Sequence, residues 1–449
     1  MPNNKKIVIL GGGIAGLAMG YYAHKLGRAS FTVFEAAPRA GGNAITFQHR
    51  DFLFDSGAHR LHDQDHEITK DFKELLAENL QEIEIPSQIY YQGKMLDFPL
   101  SPLNLLKGID LNTLARAILD FIGAQLWSSS KIRNFKDYSI NRYGKTLANE
   151  FLLNYSKKLW GVPCDQLSKN IGGKRLKGLS IKNFIVETAL KRKSQVKHLD
   201  GVFYYPKHGI GQLTSKLIAG CGLENINPKC RATKLFHDQH RIKAVEINNA
   251  DYVDADQFIS SIPLSQMVGI MEPRPSRQAI EACQDLQYRN LLLLIFFVDK
   301  KSINSNGSNY FPNETFPFTR IYEPKNRSAQ MTPSDKTSVV VELPCQETDN
   351  YWKMSDQELS KEVLPHLTRI GWFKEEEVLD FVVKRLPYAY PILTLESEQK
   401  VDTLKKYFKQ FKNLKLAGRN GLFQYVHIHD LMREGKNWFS SRAIEESEV

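Results

Sequence analysis

Cysteine is scarce in this chain, and its spacing is not that of a structural site. The five cysteines among 449 residues are scattered and odd in number, and no two of them form a C-x-x-C pair. A disulfide framework needs an even set of partners, and a structural zinc site needs closely spaced ligands. We therefore expect a protein of a reducing compartment, the cytoplasm, without a metal site.

Long apolar runs are also absent. The longest, residues 291–298, has eight residues, whereas about 20 are needed to span a bilayer. Lys5 and Lys6 precede an apolar stretch in the manner of a secretory signal, but no small-residue cleavage site follows. We expect a soluble protein with no transmembrane segment.

Positive charge is in modest excess: the chain has 60 Lys and Arg against 50 Asp and Glu, which gives a formal net charge of +10. The chain has no dense basic block, no recognisable nucleic-acid-binding module, no internal repeat and no low-complexity segment. A basic excess without such a module favours a small polyanionic substrate over nucleic acid. The alternative is that the charge serves only general solubility.

What the chain does contain is a glycine-rich turn near its start. An apolar run at residues 7–10 predicts a buried strand, the turn Gly11-Gly12-Gly13-Ile14-Ala15-Gly16 follows, and residues 17–26 predict a helix. In a dinucleotide site the first glycine allows the tight turn, the second admits a pyrophosphate, and the third lets helix and strand pack closely. Glu35 ends the next predicted strand, where a carboxylate accepts hydrogen bonds from a ribose. A glycine loop that merely turns would leave Glu35 unexplained.

The rest of the chain contains stretches typical of strands and stretches typical of helices. Residues 31–34, 202–206, 242–247 and 258–261 predict strands of the nucleotide-binding part, and residues 291–298 and 338–343 predict strands of a second, mixed sheet with antiparallel pairs. Gln92-Gly93 predicts a hairpin turn, and residues 111–126, 138–159 and 181–192 predict helices.

These patterns predict an α/β fold with a discontinuous Rossmann-type domain. The predicted parts are a nucleotide-binding domain at 1–85, 201–265 and 386–449, a helical insertion at 101–200, and a substrate-binding sheet at 86–100 and 266–385.

The continuation Pro38-Arg39-Ala40-Gly41-Gly42 resembles the Arg-x-Gly-Gly segment of flavoproteins of the amine oxidase and glutathione reductase type. The resemblance implies FAD as the cofactor. The cofactor-binding residues that it and the turn imply are Gly11, Gly13, Ile14, Ala15, Gly16, Glu35, Ala36, Arg39, Gly41 and Gly42.

Further motifs resemble the UDP-galactopyranose mutase branch of the amine oxidase-like and protoporphyrinogen oxidase-like flavoproteins, over nearly the whole chain. They are Gly41-Gly42-Asn43-Ala44, Gly57-Ala58-His59-Arg60-Leu61-His62, Tyr155-Ser156-Lys157-Lys158-Leu159-Trp160-Gly161, Thr319-Arg320-Ile321, Tyr388-Ala389-Tyr390-Pro391-Ile392 and Gly418-Arg419. The last is the most discriminating, since true amine oxidases usually have an acid after this glycine. This resemblance adds Asn43, His59, Gly418 and Arg419 to the implied cofactor-binding residues.

The resemblance implies an enzyme of polysaccharide biosynthesis that acts on a nucleotide-linked sugar. In that family the reduced flavin N5 is the nucleophile at the anomeric carbon, and an external reductant such as NAD(P)H reduces the flavin. The implied catalytic residues are His59, Arg175, Arg320 and Tyr425. The implied substrate-binding residues are Tyr155, Trp160, Arg175, Arg320, Tyr390 and Tyr425.

Each assignment has a plainer alternative. Trp160 can be core packing, Arg175 can lie on a solvated face beside Lys174 and Lys177, and His59 and His62 can be turn residues. Phe184 and His427 stand where the mutases have a tyrosine and an acid. These departures keep open an oxidoreductase of the amine oxidase or protoporphyrinogen oxidase type, and a flavin-binding scaffold is a third alternative.

Overall fold

The computed structural model of the protein describes residues 5–100, 102–126, 132–171 and 202–441. Its strands are, in chain order, β1 (Lys6–Leu10), β2 (Ser30–Phe34), β3 (Thr46–His49), β4 (Phe52–Asp55), β5 (Leu80–Glu84), β6 (Ser87–Tyr91), β7 (Lys94–Phe98), β8 (Val202–Pro206), β9 (Ile226–Asn227), β10 (Ala232–His237), β11 (Ile242–Ile247), β12 (Asp251–Asp254), β13 (Gln257–Ser260), β14 (Met271–Glu272), β15 (Tyr288–Val298), β16 (Ser308–Tyr310), β17 (Arg320–Tyr322), β18 (Thr337–Cys345), β19 (Val378–Pro391) and β20 (Leu414–Leu416).

The helices follow in the same order. They are α1 (Ile14–Lys25), α2 (His66–Leu76), α3 (Pro102–Gly108), α4 (Leu111–Leu126), α5 (Phe135–Tyr143), α6 (Lys145–Leu147), a π-helical segment (Ala148–Leu153), α7 (Asn154–Trp160), α8 (Gly211–Cys221), α9 (Leu264–Gly269), α10 (Arg277–Gln284), α11 (Asn350–Lys353), α12 (Asp356–Ile370), α13 (Leu395–Lys409), α14 (Gly418–Gly421) and α15 (Ile428–Ser440). Within these ranges no helix has the length and apolar character needed to cross a bilayer.

A parallel sheet carries the glycine-rich turn. Its strand order is β20-β13-β1-β2-β9, and every neighbouring pair is parallel. Apolar clusters cover both faces: α1, α8 and α15 lie over one, and α9, α10 and α13 over the other. Burial on both faces explains why β1 is apolar at consecutive positions. Gly435 lets α15 approach α1, because a Cβ there would lie 3.0 Å from the Ala18 backbone.

A seven-stranded mixed sheet forms the second layer, in the order β19-β15-β18-β17-β16-β6-β7. Strand β15, next to the edge strand β19, is buried along its whole length and pairs antiparallel with both β18 and β19. The predicted hairpin at Gln92-Gly93 is confirmed, since β6 and β7 pair antiparallel across these two residues. The α/β class with a parallel nucleotide-type sheet and a mixed second sheet is likewise confirmed.

The helical region differs from its prediction at one place. The single helix predicted over residues 138–159 is wrong, because the chain breaks at Gly144, where φ is +76°. A Cβ on Gly144 would lie 2.7 Å from the Phe121 amide of α4, so the glycine permits the close approach of the two segments. The predicted helix at 111–126 is confirmed as α4, and the one predicted at 181–192 lies outside the described residues.

Candidate active site

The glycine-rich turn joins β1 to α1 with almost no space between them. Gly11 has a φ of +99°, and its amide donates to the Phe34 carbonyl of β2 over 2.8 Å. A Cβ on Gly16 would lie 1.9 Å from the Gly11 carbonyl oxygen. Only glycine therefore fits at position 16 without separating the helix from the turn. This is the packing role that the sequence predicted for the third glycine.

Gly13, unlike Gly16, is not required by packing within the protein. It has a φ of −73°, which any residue adopts, and a Cβ there would meet only the Gly42 Cα, at 3.8 Å. Internal packing thus does not demand glycine at position 13. A side chain would instead project beside the N-terminus of α1, where backbone N–H groups and the helix dipole favour an anion. This geometry fits the diphosphate of a dinucleotide.

Glu35 lies at the end of β2 and is anchored by the turn. Its two carboxylate oxygens accept the Gly12 and Ala37 amides, each over 2.7 Å. Each oxygen keeps a second lone pair that a ribose hydroxyl can use. The anchored carboxylate of Glu35 supports its predicted role as a ribose ligand, which stays a prediction.

The segment after Glu35 closes over the turn. The Gly41 amide donates to the Gly12 carbonyl over 2.8 Å, and the Gly42 Cα packs against Gly13. Arg39 is exposed, and its guanidinium lies 5.0 Å from the centre of the Phe47 ring. Ala36 is exposed as well, while Ile14 and Ala15 are buried at the start of α1. The cofactor contacts predicted for these residues stay predictions.

Gly418 and Arg419 approach the same turn from the far end of the chain. Gly418 has a φ of +79°, and a Cβ on it would lie 2.7 Å from the Ala15 Cβ. The Arg419 guanidinium donates to the carbonyls of Val426, over 2.8 Å, and Ala389, over 3.3 Å. Among the described residues Arg419 has no carboxylate partner, so its positive charge is held in place but not neutralised.

A cleft of about 320 Å³ opens beside these residues and brings distant parts of the chain together. Its walls include the predicted site residues Asn43, His59, Tyr155, Trp160, Arg320, Tyr390, Arg419 and Tyr425. They come from the segment before β3, the turn after β4, α7, β17, β19, and α14 with the loop after it. Arg175 lies outside the described residues, so its predicted catalytic and substrate-binding roles remain predictions.

His59 is a neutral imidazole in the wall of this cleft. Its Nε2 lies 3.3 Å from the Ser56 hydroxyl, which donates to the Asn43 carbonyl over 2.8 Å. Burial, followed by the charges of Arg419 and Arg327, lowers the pKa of His59 to about 3. Each of these causes disfavours the charged ring. His59 is therefore unprotonated at neutral pH.

Arg320 forms an ion pair that the sequence did not predict. Its Nε and Nη2 each donate to a different Glu342 oxygen over 2.8 Å, and the side chains are 13% and 4% exposed. Glu342 also accepts the Ala58 amide over 2.9 Å, so one carboxylate holds both Arg320 and the loop of His59. The Arg320 charge is largely neutralised, although the guanidinium still lines the cleft. Glu342 is a site residue that sequence reasoning missed.

Aromatic rings also line the cleft. Trp160 is 5% exposed and packs edge-on to Tyr390 and Tyr425, with ring centres 5.9 and 6.1 Å apart. The Arg419 guanidinium lies over both tyrosines, at 5.5 and 5.1 Å. Trp160 packs in an apolar cluster and also lines the cleft, so both its core-packing role and its predicted substrate contact remain open to test.

The phenols of Tyr155 and Tyr390 in the cleft are protonated at neutral pH. Burial, with the Glu342 charge, raises the pKa of Tyr390 to about 12 against the opposing effect of Arg320. Burial likewise raises the pKa of Tyr155, whose ring packs edge-on to Tyr310 at 5.9 Å. Protonated phenols donate hydrogen bonds. The cleft therefore offers donors and positive charge to an anionic ligand.

The depressed pKa of His59 predicts an acid-labile fold. The unfolded chain takes up the histidine proton near pH 6.5, whereas the folded chain does so only near pH 3. The stability that His59 contributes is therefore present above pH 6.5 and is lost as the pH falls towards 3. Thermal melts at pH 7 and about 4.5 should show a smaller loss of melting temperature for His59→Gln than for the wild type.

His208→Gln is the matched control, because His208 is exposed and should leave the wild-type pH dependence unchanged. Equal pH dependence of His59→Gln and the wild type would contradict the neutral, buried state of His59.

Comparison with known proteins extends over nearly the whole chain. The model of a family described as flavin containing amine oxidoreductase matches residues 14–436. Coproporphyrinogen III oxidase of Bacillus subtilis (strain 168) is 20% identical over 464 residues, covering 97% of this chain and 97% of that protein. The mitochondrial protoporphyrinogen oxidase of Nicotiana tabacum is 25% identical over 136 residues, 30% of this chain and 27% of its own length.

Among solved structures, reduced UDP-galactopyranose mutase superposes with a TM-score of 0.85 at 17% identity, covering 97% of this chain and 95% of its own. At this identity the likeness is one of fold. It reflects a shared arrangement of the two sheets. It does not identify the substrate, which has to be argued from the geometry of the cleft.

Proposed function

The chain belongs to the flavin containing amine oxidoreductase family, and we propose that it is a mutase-like enzyme acting on a nucleotide-linked sugar in polysaccharide biosynthesis. It is a flavoenzyme, and its cofactor is FAD. The observation that carries the proposal is the unneutralised Arg419 guanidinium in the cleft, flanked by the Tyr390 and Tyr425 rings. A cation beside phenol donors suits a diphosphate.

The chemistry of the described residues suits FAD. The turn at residues 11–16 and the N-terminus of α1 would hold the diphosphate, Glu35 the ribose, and Asn43 and His59 the flavin end. When reduced, the bound flavin supplies the nucleophile for attack on the sugar. His59, being neutral, adds no charge to that end of the site.

The protein's own residues bind and orient the substrate. Arg419 is predicted from the sequence to bind the cofactor. Because two carbonyls fix it and it also lines the cleft, we assign it the leaving diphosphate as a further partner, with no carboxylate contact among the described residues to lose. Such preorganised charge stabilises the negative charge that develops as a bond to phosphate breaks. Arg320, being paired with Glu342, would orient substrate oxygens by hydrogen bonds, and Tyr155 and Trp160 would border the nucleotide.

Conversion of UDP-galactose tests the proposal directly. FAD-loaded protein reduced with dithionite should convert UDP-galactopyranose to UDP-galactofuranose, as measured by chromatography, and oxidised protein should not. Arg419→Met should lower kcat/KM by about a hundredfold or more, since it removes a charge-assisted contact of about 3 kcal/mol. If UDP-galactose is not converted and UDP does not perturb the flavin spectrum, the nucleotide-sugar proposal falls.

A second candidate is an oxidoreductase of the coproporphyrinogen oxidase type. It is favoured by the end-to-end match to the Bacillus subtilis enzyme and by the neutralisation of Arg320, which reduces the charge available to a diphosphate. Coproporphyrinogen III would then bleach the oxidised flavin under anaerobic conditions. Bleaching by this compound together with no response to UDP would favour the oxidoreductase.

A further inference from the structure

Lys158 is a half-buried lysine of α7 that has no part in the proposed mechanism. Its ammonium group donates to three backbone carbonyls, that of Phe311 over 2.7 Å and those of Asn313 and Phe318 over 2.8 Å each. An ammonium group has three N–H donors, and these three acceptors match them one to one. A side chain with fewer donors would therefore leave at least one of these carbonyls without its partner.

The three carbonyls belong to residues 311–319, the loop that joins β16 to β17. Within this loop the rings of Phe311, Phe316 and Phe318 contact one another, and each is at most 4% exposed. The rings pack in the apolar cluster on one face of the seven-stranded sheet. The β16–β17 loop is thus a firmly packed part of the sheet, and Lys158 attaches α7 to it.

This attachment joins two walls of the cleft. On α7, Tyr155 precedes Lys158 by three residues and Trp160 follows it by two. Both line the cleft, as do Tyr310 and Arg320 at the two ends of the β16–β17 loop. The walls also meet directly, since the Tyr155 ring packs edge-on to the Tyr310 ring at 5.9 Å. The distance between the two walls therefore depends on the side chain at position 158.

We propose that Lys158 is a positioning residue: it fixes the wall of α7 against the wall of β16 and β17 and thereby sets the affinity of the cleft for the nucleotide of its substrate. That the ligand is a nucleotide rests on the proposed function. A displacement of about 1 Å in a binding group can cost about a hundredfold in rate. The turn at residues 11–16 and Arg419 lie on other elements, so FAD binding and the charge at the leaving diphosphate do not depend on Lys158.

Steady-state kinetics of the FAD-loaded, dithionite-reduced protein test the proposal. Lys158→Met removes the three donors, and we expect it to raise KM for UDP-galactose by at least about tenfold while kcat changes by less than about threefold. Lys158→Gln keeps two N–H donors on a shorter side chain and should give an intermediate KM. A higher KM at a similar kcat indicates lost substrate binding, whereas general destabilisation would lower flavin content and melting temperature.

Lys157→Met is the matched control, because Lys157 also links α7 to the β16–β17 loop. It pairs with Glu314 over 2.9 Å, but the two side chains are 59% and 55% exposed. Exposed pairs contribute little, so KM and kcat should both stay within about twofold of the wild type. The comparison separates the half-buried contact of Lys158 from the loss of one positive charge on α7.

Hydrogen–deuterium exchange of the oxidised, FAD-loaded protein tests the attachment without substrate. The amides of α7 and of the β16–β17 loop should exchange faster in Lys158→Met than in the wild type or Lys157→Met, and those of α1 should not. Unchanged exchange overturns the proposal, as does an unchanged KM in Lys158→Met. If the wild type neither converts UDP-galactose nor responds to UDP, faster exchange still supports the attachment of the two walls, and only the nucleotide-sugar function is refuted.

Discussion

Gly16→Ala is expected to leave the protein without bound flavin. The new Cβ would lie 1.9 Å from the Gly11 carbonyl oxygen, so α1 must move away from β1. Alanine is favoured over glycine in helices by about 1 kcal/mol, but overpacking against fixed backbone costs about 1–3 kcal/mol or more, so sterics win. The absorbance near the flavin maximum should fall at least about tenfold relative to protein absorbance, with a lower melting temperature.

Gly13→Ala separates cofactor binding from folding. Its Cβ meets only Gly42, at 3.8 Å, so the apoprotein should melt like the wild-type apoprotein while its affinity for FAD falls. Gly269→Ala is the control for both variants, because nothing lies within 4 Å of its added Cβ. Full flavin occupancy in Gly16→Ala would contradict the account of the turn.

Glu342→Ala is expected to destabilise the fold by about 3–5 kcal/mol, the range for removing one partner of a buried ion pair. The substitution leaves the Arg320 guanidinium without its bidentate acceptor and frees the Ala58 amide. Chemical denaturation of the FAD-loaded protein measures the change. Arg277→Ala, which removes a pair that is 92% and 56% exposed, should cost less than about 1 kcal/mol.

Replacing both partners distinguishes stability from function. Arg320→Met combined with Glu342→Leu should recover most of the lost stability, because an apolar pair of similar size needs no compensating charge. Activity should not recover, since the guanidinium no longer lines the cleft. Recovery of activity in the double variant would show that Arg320 does not contact the substrate.

Much of the fold was predictable because its signals are local. The turn at residues 11–16, the hairpin at Gln92-Gly93 and the apolar run of β15 each depend on a few consecutive residues. The break at Gly144 was not predictable, because it depends on the approach of the Phe121 backbone of α4. The pattern of apolar residues within 138–159 contains no information about that contact.

The candidate site was predictable only in part, and mostly through resemblance. Motif matches placed His59, Tyr155, Arg320 and Arg419 in one cleft, where the structure also has them. Glu342 was missed, although a carboxylate within the apolar run of β18 is a signal, since buried charges are paired. Its partner is set by strand register: Arg320 and Glu342 are opposite each other on β17 and β18.

The nucleotide-binding turn follows from local sequence alone, since glycines at fixed spacing permit backbone conformations and approaches that other residues do not. The charges of the cleft, by contrast, depend on how the chain folds. Arg320 is neutralised by a neighbouring strand, Arg419 is held by carbonyls and keeps its charge, and His59 is neutral because distant arginines and burial act on it. Electrostatic states depend on distances in space and on exclusion of water, which no local pattern of residues specifies.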